Sequence, residues 1–262
     1  MRTTMSFVPI IYHIPHASTH IPEDIKVEFC LTEEELKKEI LLMTDHYTDR
    51  LFVGRAGPQD IIVEFPVSRL VLDPERFSRD VDEPMAQVGM GVIYLKRHNG
   101  EQLRESILSR QNLLNRFYYP HHKILEAGVF QLVTEYKRAL IIDCHSYPLN
   151  PLPYELNKLG ERPQICLGAD PYHTPAYLLE EFKHRFEEAG FSVAINTPFS
   201  GTFVPTQFLG KNASVLSIMI EVRRDVYMDE TLGHPNKNFE QIADSIASII
   251  ADVRDTLMDV KI

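Results

Sequence analysis

Apolar runs of strand length alternate along this chain with stretches in which apolar residues recur at helical spacing. Residues 8–14, Val-Pro-Ile-Ile-Tyr-His-Ile, predict a buried first strand leading into a loop with Pro15 and Pro22. Thr32 followed by Glu35 reads as a helix start with a capping box, and Leu36, Ile40, Leu41 and Met43 give that helix an apolar side. Residues 45–52 are expected to continue as a second short helix. Further strands are predicted at 61–65, 70–72, 92–95, 139–143, 164–168, 192–195 and 215–222. Helices are predicted at 101–117 (with Leu103, Ile107, Leu108, Leu113 and Leu114 at helical spacing), from Pro120 to about 137, at 175–189 with Gly190 as its stop, and at 238–258.

This alternation predicts an α/β fold, a sheet with helices on both faces. No Gly/Ser/Pro-rich linker divides the chain, so residues 1–262 are expected to form one domain. The apolar run at 139–142 stops at Asp143-Cys-His-Ser, and the C-terminal end of a buried strand is where ligands and catalytic groups collect in such sheets. The Pro-rich stretch 147–163 that follows is a long loop of the kind that is usually functional.

Composition narrows the function. The net charge is −10, which argues against a broad nucleic-acid surface, and an anionic substrate would need local Arg or Lys. Three cysteines, none in a C-x-x-C pair, fit a reducing cytoplasm better than a disulfide framework. No stretch approaches the length of a membrane span, and a cytoplasmic location is expected.

The candidate chemistry is histidine and carboxylate. His13, His16 and His20 cluster around the end of the first strand, and the strand pattern does not decide among them. Asp143 and His145 are two apart, so both side chains share a face if the strand persists. Asp143 would then orient an imidazole or, alternatively, cap the next turn. Asp45 and Asp49 have the spacing of one helical face. Glu221 ends an apolar strand, where a carboxylate is costly unless it is paired, with Arg223 or Arg224, or functional as a general base. Arg69, Arg76, Arg79, Arg223 and Arg224 are the cations that could receive a carboxylate. Phosphate-loop, dinucleotide and nucleophile-elbow patterns are absent, as is H-E-x-x-H. Cys144 and His145 are adjacent on a strand and point apart, a poor nucleophile pair.

An ordered set of segments resembles the N-formylglutamate amidohydrolase family: Ile14-Pro-His-Ala-Ser with Ile21-Pro22, Asp45-His-Tyr-Thr-Asp-Arg-Leu, Ser68-Arg-Leu-Val-Leu-Asp-Pro-Glu-Arg-Phe, Tyr119-Pro-His-His, Ile142-Asp-Cys-His-Ser and Ile220-Glu-Val-Arg-Arg-Asp-Val-Tyr. The resemblance implies a three-layer α/β/α fold with a mixed, mostly parallel twisted sheet, like that of zinc carboxypeptidases and aspartoacylases. It also implies one zinc per chain, with other divalent transition metals as alternatives. His16 and His145 are the implied ligands. Carboxypeptidase relatives take a Glu three residues after the first His; here that residue is Thr19, and Asp45 is taken as the third ligand. Glu221 is the implied general base. Arg76, aided by Arg69 or Arg223, would hold the carboxylate of a small anionic N-acyl amino acid, with His122 contributing to the pocket. The chain departs from the related enzymes at Glu75, where Asn is usual, and at His46, where an aromatic residue is common. The alternatives are a hydrolase of a peptide or cell-wall amide on the same scaffold, and a non-catalytic binding protein.

Overall fold

The computed structural model describes residues 8–107, 110–155, 158, 160 and 162–257. In chain order the elements are β1 (Ile10–Ile14), α1 (Glu23–Lys26), α2 (Glu33–Met43), α3 (Thr48–Leu51), β2 (Ile61–Glu64), α4 (Arg110–Leu113), a π-helical stretch (Leu114–Tyr118), α5 (Tyr119–Tyr136), β3 (Ala139–Tyr147), β4 (Ile165–Gly168), α6 (Ala176–Glu188), β5 (Val193–Ile195), β6 (Val215–Arg223), a small ribbon of β7 (Met228–Asp229) and β8 (His234–Pro235), and α7 (Phe239–Thr256). Six strands form one sheet in the order β2-β1-β3-β6-β4-β5. The pairs β2–β1, β1–β3 and β3–β6 are parallel, β4 runs antiparallel to β6, and β5 is parallel to β4. This is the mixed, mostly parallel sheet the sequence led us to expect.

Alternation along the strands sorts side chains onto two faces. One face carries Ile10, Tyr12, Ile14, Leu140, Ile142, Cys144, Leu216, Ile218, Ile220 and Val222, packed with Leu178, Phe182 and Phe186 of α6 and Ile246, Ile249 and Ile250 of α7. The other face begins as apolar, with Ile11, Ala139, Ile141 and Val215 under Leu125, Val129 and Leu132 of α5. It then turns ionisable: His13 lies opposite Asp143, Asp143 opposite Met219, and His145 opposite Glu221. The functional groups therefore occupy the last third of a face whose first two thirds are hydrophobic core.

Several boundaries differ from the sequence reading. β3 does not stop at Asp143 but continues to Tyr147. Cys144 and Ser146 stay buried, and the β6 ladder pairs every residue through Tyr147. Residues 70–72 and 92–94 are buried and Leu95 half-buried, but none of them forms a strand; 70–72 and 92–94 are irregular backbone packed into two further apolar clusters with Phe65, Phe117, Leu36 and Leu103. Burial without ladder partners gives the same apolar pattern as a strand. Of the helix expected from residue 101, residues 101–107 fold as an irregular segment, and the described helical residues run from Arg110. Leu108, the first seven residues and Met258 lie outside the described residues. The capping box at Thr32 and Glu35 is formed, and Gly190 takes a positive φ of 88° after α6. Among the described residues no helix is long and apolar enough to cross a membrane.

Candidate metal and catalytic site

The ends of β1, β3 and β6 open onto a cavity of about 610 Å³, lined among others by His16, Asp45, Arg69, Glu75, Arg76, His145, Glu221 and Arg224. His16 lies two residues beyond β1. Its backbone carbonyl accepts the Asp45 N–H at 3.0 Å, which brings the α2–α3 connection to the sheet. Asp45 precedes α3 rather than belonging to it, because Tyr47 adopts a left-handed φ of 67°. The shared helical face expected for Asp45 and Asp49 is therefore absent, and Asp45 is free to face the histidines.

The two imidazoles of His16 and His145 have centroids 5.2 Å apart. His16 Nε2 is 2.8 Å from Asp73 Oδ1, and His145 Nε2 is 3.2 Å from Asp143 Oδ1. When both rings are neutral and their Nε2–H groups are donated to these carboxylates, each Nδ1 presents a lone pair. His145 Nδ1 is 3.1 Å and His16 Nδ1 3.5 Å from Asp45 Oδ2. The buried His16 Nδ1 has no hydrogen-bond partner. Three acceptors thus face one point, an arrangement that repels unless a proton or a metal ion lies between them. One ligand atom from each of His16, Asp45 and His145 lies within 4.8 Å of the others, so this set can hold a metal ion. A carboxylate behind each ligating imidazole is the usual supporting arrangement in metal sites.

The electrostatics follow from burial and close pairing. Burial opposes the charged form of His16, as does Arg69, but Asp73 and Asp45 outweigh them and raise its pKa. For His145, burial is outweighed by Glu75, Asp143 and Asp45, and its pKa is raised well above the ordinary value. Burial would push the Asp73 carboxyl up, yet His16 and the Arg69 and Arg76 guanidiniums hold it well below the usual range. Asp45 is lowered in the same way, burial being overcome by His145, His16 and Arg69. Glu221 is the exception. Its burial prevails over the attraction of His145, and its carboxyl is pushed up to about 8. Its Oε2 is buried without a hydrogen-bond partner.

The remaining sequence candidates divide. Arg76 lines the cavity; its Nε is 3.8 Å from Asp73 and makes no hydrogen bond. Arg69 also lines it, but is held by Asp73 at 2.9 Å and by the Tyr94 hydroxyl at 3.2 Å. Arg223 does not reach the cavity: its guanidinium pairs with Asp225 at 2.6 Å. The neighbouring Arg224 reaches it instead, 3.1 Å from Asp45 Oδ1. His122 is set back from the cavity, 2.8 Å from the Pro74 carbonyl and stacked on Tyr118, so it touches the 73–76 turn rather than the pocket. Glu75 turns toward the imidazoles, 3.3 Å from His145 Nε2 and 3.7 Å from both His16 and His13. Sequence reasoning missed the role of His13, which bridges Asp143 at 2.9 Å and His121 at 3.0 Å. The ladder pairing of His13 with Asp143 places them together, and that register is not visible in one strand's pattern.

The family model for N-formylglutamate amidohydrolase matches residues 8–228. Two solved structures share the fold. An N-formylglutamate amidohydrolase from Ralstonia eutropha JMP134 is 22% identical, with 95% of this chain and 94% of that one covered at a TM-score of 0.80. A gene product from Agrobacterium tumefaciens is 17% identical, with 96% and 92% covered at a TM-score of 0.69. No curated protein sequence matches the chain. With the family model spanning most of its length, the chain belongs to the N-formylglutamate amidohydrolase family.

Proposed function

We propose that this protein is a metal-dependent amidohydrolase that cleaves the linear amide of an N-formyl or other N-acyl amino acid. The observation that carries the reading is the convergence of His16 Nδ1, His145 Nδ1 and Asp45 Oδ2 beside a Glu221 oxygen that has no partner. A His/His/carboxylate set with an open position suits hydrolytic zinc, although other transition metals accept it.

A zinc ion held there would polarise the amide carbonyl and acidify a bound water. The chain's own residues do the rest. Arg76 receives the substrate's α-carboxylate, since its guanidinium Nε is buried and unbonded. Asp73 and Asp143 fix the His16 and His145 rings by their Nε2 atoms. Glu221 takes a proton from the attacking water as its oxygen bonds to the carbonyl carbon. The C–N bond then breaks, and the same proton passes to the leaving nitrogen, giving a carboxylic acid and a free amino acid.

Metal analysis of the purified protein tests the reading. We expect about one zinc per chain, lost in His145→Ala and Asp45→Ala, together with hydrolysis of N-acyl amino acids. Unchanged metal content in His145→Ala would remove that residue from the ligand set.

A further inference from the structure

Resting on the amidohydrolase reading, we propose that the β6–β4 side of the cavity is an apolar acyl subsite, and that the preferred substrate carries an uncharged acyl chain longer than formyl. The sheet order sets the argument. Arg76 is tied through Asp73 to His16 at the end of β1; His145 follows on β3, Glu221 on β6 and Cys166, opposite Glu221, on β4. From β1 to β4 is three strand spacings, roughly 14 Å.

A substrate held at Arg76 by its carboxylate and attacked beside Glu221 points its acyl group onward, toward β4. In a formylated amino acid the acyl group ends in a hydrogen. The first carbon beyond the carbonyl would lie only about 3.8 Å from the substrate's Cα. Formyl therefore leaves the far side of the cavity unfilled. A cavity of about 610 Å³ is of the class that encloses ligands much larger than a formylated amino acid.

The far wall is uncharged, its apolar side chains interrupted only by the Ser200 and Thr202 hydroxyls. Met219 precedes Glu221 by two residues on the same face. Phe199 lies against Tyr147, with centroids 5.6 Å apart, and its carbonyl accepts the Cys166 thiol at 3.2 Å. Both line the cavity with Pro198, and none of the lining residues from 198 to 203 carries a charge. Gly168, opposite Met219, leaves room for this segment to approach: a Cβ there would collide with the Gly201 carbonyl and the Met219 side chain.

The test is kcat/KM, with zinc supplied, for N-formyl-, N-acetyl-, N-butyryl- and N-hexanoyl-L-glutamate and for glycyl-L-glutamate. The expected result is a rise from formyl to butyryl of about fourfold per buried methylene. Acetyl should exceed glycyl, which has a similar size but carries an ammonium group. Phe199→Ala should lower the ratio of the butyryl and hexanoyl values to the formyl value about fivefold or more, with circular dichroism reporting that the variant is folded. Formyl as the fastest substrate, glycyl faster than acetyl, or an equal loss on every substrate in Phe199→Ala would each overturn the subsite alone. Hydrolysis of none of the five, and of no N-acyl derivative of another amino acid, would overturn the amidohydrolase reading, and the subsite with it.

Discussion

Asp73→Asn isolates the most heavily used carboxylate of the site. Asp73 is fully buried and accepts from His16 Nε2 at 2.8 Å, Arg69 at 2.9 Å, the Glu75 backbone N–H at 3.0 Å and the Tyr94 hydroxyl. Asparagine keeps the shape but replaces one acceptor oxygen with a donor and removes the charge that balances Arg69. Breaking one partner of a buried ion pair costs about 3–5 kcal/mol. A domain of this size loses about 2–4 °C of Tm per kcal/mol, so the metal-free variant should melt about 6–20 °C lower. The pH dependence gives an independent check. The folded Asp73 pKa is depressed, so its stabilisation is complete above the unfolded carboxyl pKa of about 4 and fades as pH falls toward the folded value. The gap between wild type and variant in denaturant titrations should therefore narrow below pH 4. A variant that melts within about 2 °C of wild type at pH 7 would refute the idea that these four contacts act as one buried charge network.

Glu221→Gln should lower kcat/KM by about 10²–10⁴-fold with metal content retained; activity that survives the change would remove Glu221 as the base. The same variant should stabilise the metal-free protein. A carboxyl raised to about 8 costs stability progressively between its unfolded pKa and that value, so the gain should grow from pH 5 to pH 8 in chemical denaturation. Arg76→Ala should raise KM about tenfold or more for carboxylate-bearing substrates with a smaller effect on kcat, whereas Arg223→Ala, whose partner is Asp225, should leave KM unchanged. Gly168→Ala should distort the 198–203 wall and lower stability by about 1–3 kcal/mol through overpacking; a wild-type melting curve would show that the segment yields freely.

The alternation of strands and helices was legible because core-facing positions repeat with the period of each element. Residues 70–72 and 92–95 misled because a buried loop and a buried strand share the same apolar pattern, and only ladder partners distinguish them. His16, His145, Asp45 and Glu221, named from segments far apart in sequence, line one cavity. The exchange of Arg223 for Arg224 was not legible, since two adjacent arginines at a strand end differ only in which way the chain turns after Arg223. Glu75 stood out in the sequence only as a departure from the Asn usual in related enzymes. Its approach to His145, His16 and His13 depends on the 73–76 turn, which the Asp73 carboxylate closes locally at the Glu75 N–H and His122 braces from a distant part of the chain.

The reversed direction of β4 has a consequence for how this protein can diversify. Because β4 runs against β6, the chain leaves β3 at Tyr147 and enters β4 at Ile165 on the same edge of the sheet, with only β6 between them. The connection spans roughly 10 Å at its base whatever its length. Arg162 already clasps that base, bonding the Pro148 carbonyl and Glu155. Closing a longer loop over such a fixed gap adds only about 0.6 kcal/mol for each doubling. The connection can therefore be lengthened at small cost while the ligand-bearing strands keep their register, with buried Leu152 and the Glu155–Arg162 pair as its fixed anchors, which makes it the natural graft point for engineering new selectivity.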